Sequence, residues 1–248
     1  MRKFLFLLIV AVIAMGMLLT ACEETGDDIT NPDDSEWSLF FVPMGGGAKP
    51  ESHYVTVMWI GDTANPNPSS VSVKVGETNV TLELIPFINA WMGEATVTPG
   101  QQYDVKLDVN GSTKVNTTLK IVYNALAQFP ANYNPSGTGS MSWTLTADNQ
   151  SQMASAISFD NDTMAEDIFD HELLPSDRSY VFPVNAVQNY GSLTTYTLEI
   201  TQMNFKYRNK VMVVSAQSDN KDYGFGGKSR DTQEYIARYC LRLLNHIR

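Results

Sequence analysis

An all-β fold of two tandem antiparallel β-sandwiches is what the sequence predicts, behind a removable leader and ahead of a C-terminal helix. Three observations predict it. Apolar and polar residues alternate with a period of two from Trp37 to Tyr123, and again in short runs between Met141 and Val214. Asn, Gly and Pro punctuate these runs at short intervals, as turns between strands require. Helical spacing of apolar residues is confined to the last few turns of the chain.

The leader comes first. Met1-Arg2-Lys3 is basic, Phe4 to Leu19 is apolar and uncharged, and Thr20-Ala21-Cys22 follows, the pattern of a secretory signal with a small-residue cleavage site. The apolar run is shorter than the roughly 20 residues that a spanning helix needs. Leu19-Thr20-Ala21-Cys22 resembles the lipobox of bacterial lipoproteins. The resemblance implies cleavage before Cys22 and lipid attachment on that cysteine, with palmitate-type chains. It also implies a cell-envelope protein held to a membrane, at the outer membrane on its surface or periplasmic face. More than one acyl chain gives the stable anchoring that a single chain does not.

Residues 1–21 are thus leader and residues 22–36 a tether. The tether holds seven acids (Glu23, Glu24, Asp27, Asp28, Asp33, Asp34, Glu36), no base and little to bury. Acids placed there also resemble the surface-export signals of Bacteroidetes lipoproteins. Linker solubility accounts for the same acids, so both orientations stay open.

The chain carries 17 basic and 27 acidic residues, a net −10 that becomes −12 once Arg2 and Lys3 leave with the leader. Nucleic acid, or an anionic membrane surface, is therefore a poor partner for the molecule as a whole. The two cysteines are Cys22 and Cys240. With Cys22 committed to lipid, an internal disulfide is excluded.

The first sandwich is placed at residues 37–124. Its strands are expected at Trp37–Val42, His53–Ile60, Val71–Val75, Val80–Ile85, Trp91–Val97, Gln102–Val109 and Thr113–Val122. From Tyr103 to Val109 apolar and charged positions alternate without error, so one face is dry and the other wet. Asn110-Gly111 then supplies the positive-φ pair of a tight hairpin. Seven short strands in this length is the arithmetic of an immunoglobulin-like sandwich. Val97-Thr98-Pro99-Gly100-Gln101-Gln102-Tyr103-Asp104-Val105 resembles the run into the penultimate strand of fibronectin type III domains, which implies that the Tyr103 hydroxyl bonds back to nearby backbone as a structural corner.

The second sandwich is placed at residues 125–218, after the Pro/Asn/Gly-rich run from Phe129 to Gly139. Met141, Trp143 and Leu145 alternate with Ser142, Thr144 and Thr146, and Tyr196, Leu198 and Ile200 with Thr195, Thr197 and Glu199. Val211-Met212-Val213-Val214 is apolar on both faces, which suits a central strand or one covered by the neighbouring domain. Leu174-Pro175-Ser176-Asp177-Arg178-Ser179-Tyr180 echoes the proline-to-tyrosine run of the first half, a weak sign of duplication.

Residues 219–248 form a Gly-rich turn and an amphipathic helix whose stripe is Ile236, Tyr239, Cys240, Leu243 and Ile247. The strands that need one another end by about Ala216. On this reading the segment is removable: a helix packed on the second sandwich, a partner-docking helix or a tail foreign to the fold.

No catalytic constellation or cofactor motif emerges. His53, His171 and His246 lie in separate segments without metal-ligand spacing, and Asp170-His171-Glu172 reads as a solvated loop. Asp160, Asp162 and Glu166 begin like a calcium loop, but Met164 and Ala165 stand where a ligand and a sharp-turn Gly belong. Trp59, Trp91 and Trp143 fall on core faces, and Trp37 is undecided. The apolar loop around Phe87 and Ile88 is the candidate contact site, since binding loops gather at sandwich ends.

These readings point to a non-enzymatic binding or accessory module with a protein or glycan partner in the envelope. The alternative is a surface glycan-binding or pilus-type structural component, which needs exposed aromatic faces or an exchangeable edge strand.

Overall fold

The computed structural model describes residues 36–43, 52–59, 68–85, 90–122, 126–144, 149–163, 165–224, 239–243 and 247. The first half contributes β1 (Trp37–Pro43), β2 (Ser52–Trp59), β3 (Val71–Val75), β4 (Thr78–Val80), β5 (Leu82–Ile85), β6 (Ala90–Thr96), β7 (Gln102–Val109) and β8 (Ser112–Lys120). The second contributes β9 (Leu126–Gln128), β10 (Gly139–Thr144), β11 (Ser151–Asp160), β12 (Glu166–Leu173), β13 (Ser179–Phe182), β14 (Thr194–Arg208) and β15 (Val211–Gly224).

Alternation sets the faces of the first sandwich. Val105, Leu107 and Val109 of β7 point inward with Val73 and Val75 of β3, and meet Leu39, Phe41, Val55, Val57 and Trp91 from the opposing sheet. The β7–β8 hairpin turns on Asn110 and Gly111, at φ 50° and 77°. Where one strand was expected over Val80–Ile85 there are two, because the chain changes sheets at Thr81: β4 pairs with β3, and β5 with β6. Gly93 of β6 permits this crossing, since a Cβ there would lie 2.1 Å from the Thr81 carbonyl oxygen.

The described residues form three sheets, ordered β12-β11-β14-β15-β1-β2-β6-β5, β13-β10-β9 and β4-β3-β7-β8. In the first sandwich β1-β2-β6-β5 faces β4-β3-β7-β8, the ABED-against-CFG order of an immunoglobulin-like fold with one further strand. Among the described residues the second sandwich repeats the plan with a strand fewer: β12-β11-β14-β15 stands for β4-β3-β7-β8, and β13-β10-β9 for β6-β2-β1. The predicted class, all-β with two antiparallel sandwiches, is the one observed. The short sequence echo does not mark the repeat, however. The run at Leu174–Tyr180 leads into β13, whereas Val97–Tyr103 leads into β7, whose counterpart is β14.

A parallel seam joins the two sandwiches. β1 runs beside β15, from Trp37 opposite Val211 to Phe41 opposite Ser215. Alternate residues of β15 then serve both interiors: Val211 and Val213 enter the first core, and Tyr223 enters the second. Both smaller sheets therefore cover the same face of the eight-stranded sheet. Val211-Met212-Val213-Val214 is apolar on both sides because its other face is also covered. Met212 and Val214 join Phe40, Val42, Met58, Met92, Met153 and Met203 beneath Tyr239, Cys240 and Leu243 of the helical segment 239–243.

This arrangement corrects the expected boundary at Ser218, which falls inside β15. Residues 219–224 pair with Thr195–Ile200 of β14, so the strand runs to Gly224. Period-two patterning lost it because Ser218, Asp219, Asn220, Lys221 and Asp222 are polar at every position. The helical residues pack on more than the second sandwich: Cys240 and Leu243 are fully buried, against strands of both sandwiches.

Candidate functional site

The open flank of the second sandwich carries the most developed exposed feature. β12 ends the eight-stranded sheet and β13 ends the three-stranded sheet, so the two edge strands face each other across the gap. Register places Phe169 opposite Ala156 and His171 opposite Ala154 on one side, and Tyr180 opposite Met141 and Phe182 opposite Gly139 on the other. Each pair sits two residues apart on its strand, so both members point the same way.

The four rings close into a cycle. His171 and Tyr180 stack with centroids 4.6 Å apart and planes at 22°, and Phe169 lies parallel to His171 at 6.4 Å. Phe182 meets Tyr180 edge-on at 5.0 Å and Phe169 edge-on at 6.4 Å. Such offset and T-shaped geometries are the favourable ones. Phe182 is buried, Phe169 and Tyr180 are half-buried, and His171 is exposed, so the cluster is dry at its base and wet at its top. Burial raises the Tyr180 phenol above its usual value. Asp167, Asp170 and Glu172 line the same strand, and Asp167 accepts a bond of 2.7 Å from the Gln188 amide.

Beneath the ladder a buried amide network fixes the chain between β12 and β13. Gln152 accepts from the Trp143 indole at 2.9 Å and from Gln202 at 3.1 Å, and donates to the Leu174 carbonyl at 2.6 Å. The turn that follows is closed by Asp177, which accepts from the Leu174 amide at 2.9 Å. The flank is thus held on a rigid base. Chemically it offers ring faces, an imidazole and carboxylates, suited to stacking and hydrogen bonding with a ligand that is both apolar and hydroxylated.

Sequence reasoning missed this site. It expected Asp170-His171-Glu172 in a loop, but His171 lies on β12 and completes the ladder. Nothing in the spacing of Phe169, His171, Tyr180 and Phe182 shows that two edge strands bring them together.

The tryptophans lie elsewhere. Trp37 stacks on Trp59 at 6.2 Å and meets Trp91 at a tilt of 42° and 6.1 Å, inside the first sandwich, and Trp143 is buried in the second. Tyr103 packs on the first core, and its hydroxyl accepts from the Thr98 amide at 2.9 Å while donating to Gln101 at 3.2 Å. At the calcium-like loop, Asp160 accepts from the Thr163 hydroxyl at 2.5 Å and from the Asp162 amide at 3.0 Å, which hold its carboxyl below the usual value. Both Asp160 oxygens thus serve the loop itself. Among the described residues, no three His, Cys, Asp or Glu side chains are grouped to hold a metal ion, and no helix is long and apolar enough to cross a membrane. Cys22, Phe87 and Ile88 lie outside the described residues.

The geometry defines a two-sandwich protein of the immunoglobulin and fibronectin III architecture. No protein-family profile matches the chain, and no curated protein matches it in sequence. Among solved structures it is similar to the FN1–FN3 domains of chicken CNTN1, at 10% identity and a TM-score of 0.23, over 75% of this chain and 63% of that one. It is also similar to the adhesin InvE of Yersinia pseudotuberculosis, at 10% identity and a TM-score of 0.22, over 79% and 60%. A DUF4785 family protein of Legionella pneumophila follows at 12% identity and a TM-score of 0.24, over 66% and 51%. The chain therefore spans less than two thirds of the length of each.

Proposed function

We propose that this chain is a non-enzymatic binding module of the bacterial cell envelope, held to a membrane by lipid on Cys22 and engaging its partner through the flank of the second sandwich. The observation that carries the binding role is the His171–Tyr180 stack, an exposed imidazole on a half-buried phenol above a buried, hydrogen-bonded base. His171 lies on the outer edge of the large sheet, with three strands between it and β1, where the tether joins the fold. The leader and the Leu19-Thr20-Ala21-Cys22 motif support the anchor.

The two parts are tested separately. Cys22→Ala should leave a folded protein that no longer partitions with detergent or sediments with membranes; unchanged partitioning would overturn the anchor. A chain beginning at Glu23 should bind an envelope component in a pull-down, and the His171→Ala/Tyr180→Ala pair should abolish that binding while the protein stays folded. Equal binding by the variant would move the site elsewhere.

Glycan binding is the second reading, favoured by the same ring stack at the surface. Retention on a glycan array, lost in the same variant, would select it over a protein partner.

A further inference from the structure

We propose that the acidic tether of this chain docks in cis on a basic stripe along the flank of the first sandwich. Where β14 passes β11 it continues as an arm with β15 and lies against β8. The contacts run in step: Asn204 donates to the Lys120 carbonyl at 3.3 Å, Lys206 to the Thr118 hydroxyl at 3.1 Å and Arg208 to the Asn116 carbonyl at 3.3 Å. Lys206, Arg208 and Lys210 are exposed on this arm, and Lys114 lies on the adjoining β8. In a chain of net charge −10, this is a concentration of positive charge.

Lys206 and Arg208 donate to these neutral oxygens, and among the described residues neither forms an ion pair with a carboxylate. Asp104 stands opposite Thr118 in register, yet Lys206 takes the hydroxyl. Asp108, further along β7, is paired with Lys106 at 2.8 Å. The stripe therefore has charge to offer an acidic ligand.

The structure also shows where such a ligand begins. Glu36, the last tether residue, donates its amide to the Lys210 carbonyl at 2.9 Å and places its carboxylate 2.7 Å from the Lys210 ammonium. The tether thus joins the fold already clipped to the end of the stripe, with six more acids upstream. From Lys210 back to Asn204 is about 20 Å of strand, while the residues between Cys22 and Glu36 reach about 45 Å when extended. Length is sufficient, and covalent attachment raises the effective concentration of acids at the stripe far above that of any free competitor. Docking would hold the sandwiches close to the membrane and release would let them stand off; that consequence rests on the lipid anchor, whereas the docking itself does not.

The described fold begins at Glu36, so an unlipidated chain starting at Glu23 keeps all of it. Thr30→Cys gives a labelling site there, since Cys22 is absent and Cys240 is fully buried. The anisotropy of a dye on that residue should be high in dilute buffer, and should fall in 0.5 M salt and in a Lys206→Gln/Arg208→Gln variant of unchanged thermal stability. In the same variant, glutamyl endopeptidase should cut the tether severalfold faster than in the parent chain at equal salt. Equal anisotropy and equal cleavage in parent and variant would overturn the proposal. An anisotropy that grows with protein concentration would overturn it too, by showing that the acids bind another copy.

Discussion

His53 on β2 and Gln217 on β15 meet across the seam between the sandwiches, with Nε2 of the ring 2.9 Å from the Gln217 amide nitrogen. That nitrogen has only hydrogens to give, so Nε2 accepts and the ring is neutral. Both residues are fully buried, and the ring's Nδ1 meets no hydrogen-bond partner among the described residues.

Burial lowers the His53 pKa from 6.5 to about 4. The unfolded chain therefore binds the proton first on acidification. Stability should be full above about pH 6.5 and fall as the pH drops toward 4, by about 3 kcal/mol in all from this group. Urea unfolding at pH 7 and pH 4.5 measures it, and in His53→Gln that part of the slope should vanish.

Much of the fold was legible in the sequence where one face of a strand is wet. Val71–Val75 and Gln102–Val109 were read to the residue because their polar positions meet water. β11 was not read, because it lies between β12 and β14 and buries both faces, with Gln152 and Ser155 as deeply inside as Met153 and Ala154. β12 was hidden for the opposite reason: its acids protect a free edge and resemble an exposed loop. The ladder depends on both, so it was beyond the reach of local pattern.

Arg242 and Glu199 form a buried ion pair between the helical segment and β14, with Glu199 fully buried. Arg242→Met should cost about 3 to 5 kcal/mol by leaving that carboxylate uncompensated. Adding Glu199→Gln should recover a large part of it. A double-mutant cycle by chemical denaturation reads the coupling.

Ending the chain at Gly224 should expose the methionine-rich face of the large sheet formed by Met58, Met92, Met153, Met203 and Met212. The truncated protein is expected to aggregate or bind a hydrophobic dye. Size-exclusion chromatography and dye fluorescence check this, and a monodisperse, dye-silent product would contradict it.

Tyr103→Phe removes one acceptor from the Thr98 amide. Because Tyr103 is half-buried and its bonds lie near solvent, the cost should be about 1 kcal/mol, at the low end for a lost hydrogen bond. Thermal unfolding of the whole chain resolves a change of that size.

Gly139→Ala puts a methyl 2.7 Å from two ring carbons of Tyr133, which packs on Phe182, Tyr196 and Tyr223. The ring must shift, at about 1 to 3 kcal/mol. The same experiment measures it, and near-ultraviolet circular dichroism should report the altered tyrosine packing.

The parallel seam also orders events in time. Of the described strands β1 is made first, and the partner on its far side, β15, is made last. Until then the first strand has one neighbour, and Phe40 faces no Met212 or Val214. Contacts so distant along the chain close slowly, since the loop entropy must be met before any reward. Whenever the first sandwich forms ahead of the second, it does so with an unfinished edge, and one hairpin, β14–β15, completes both halves at once.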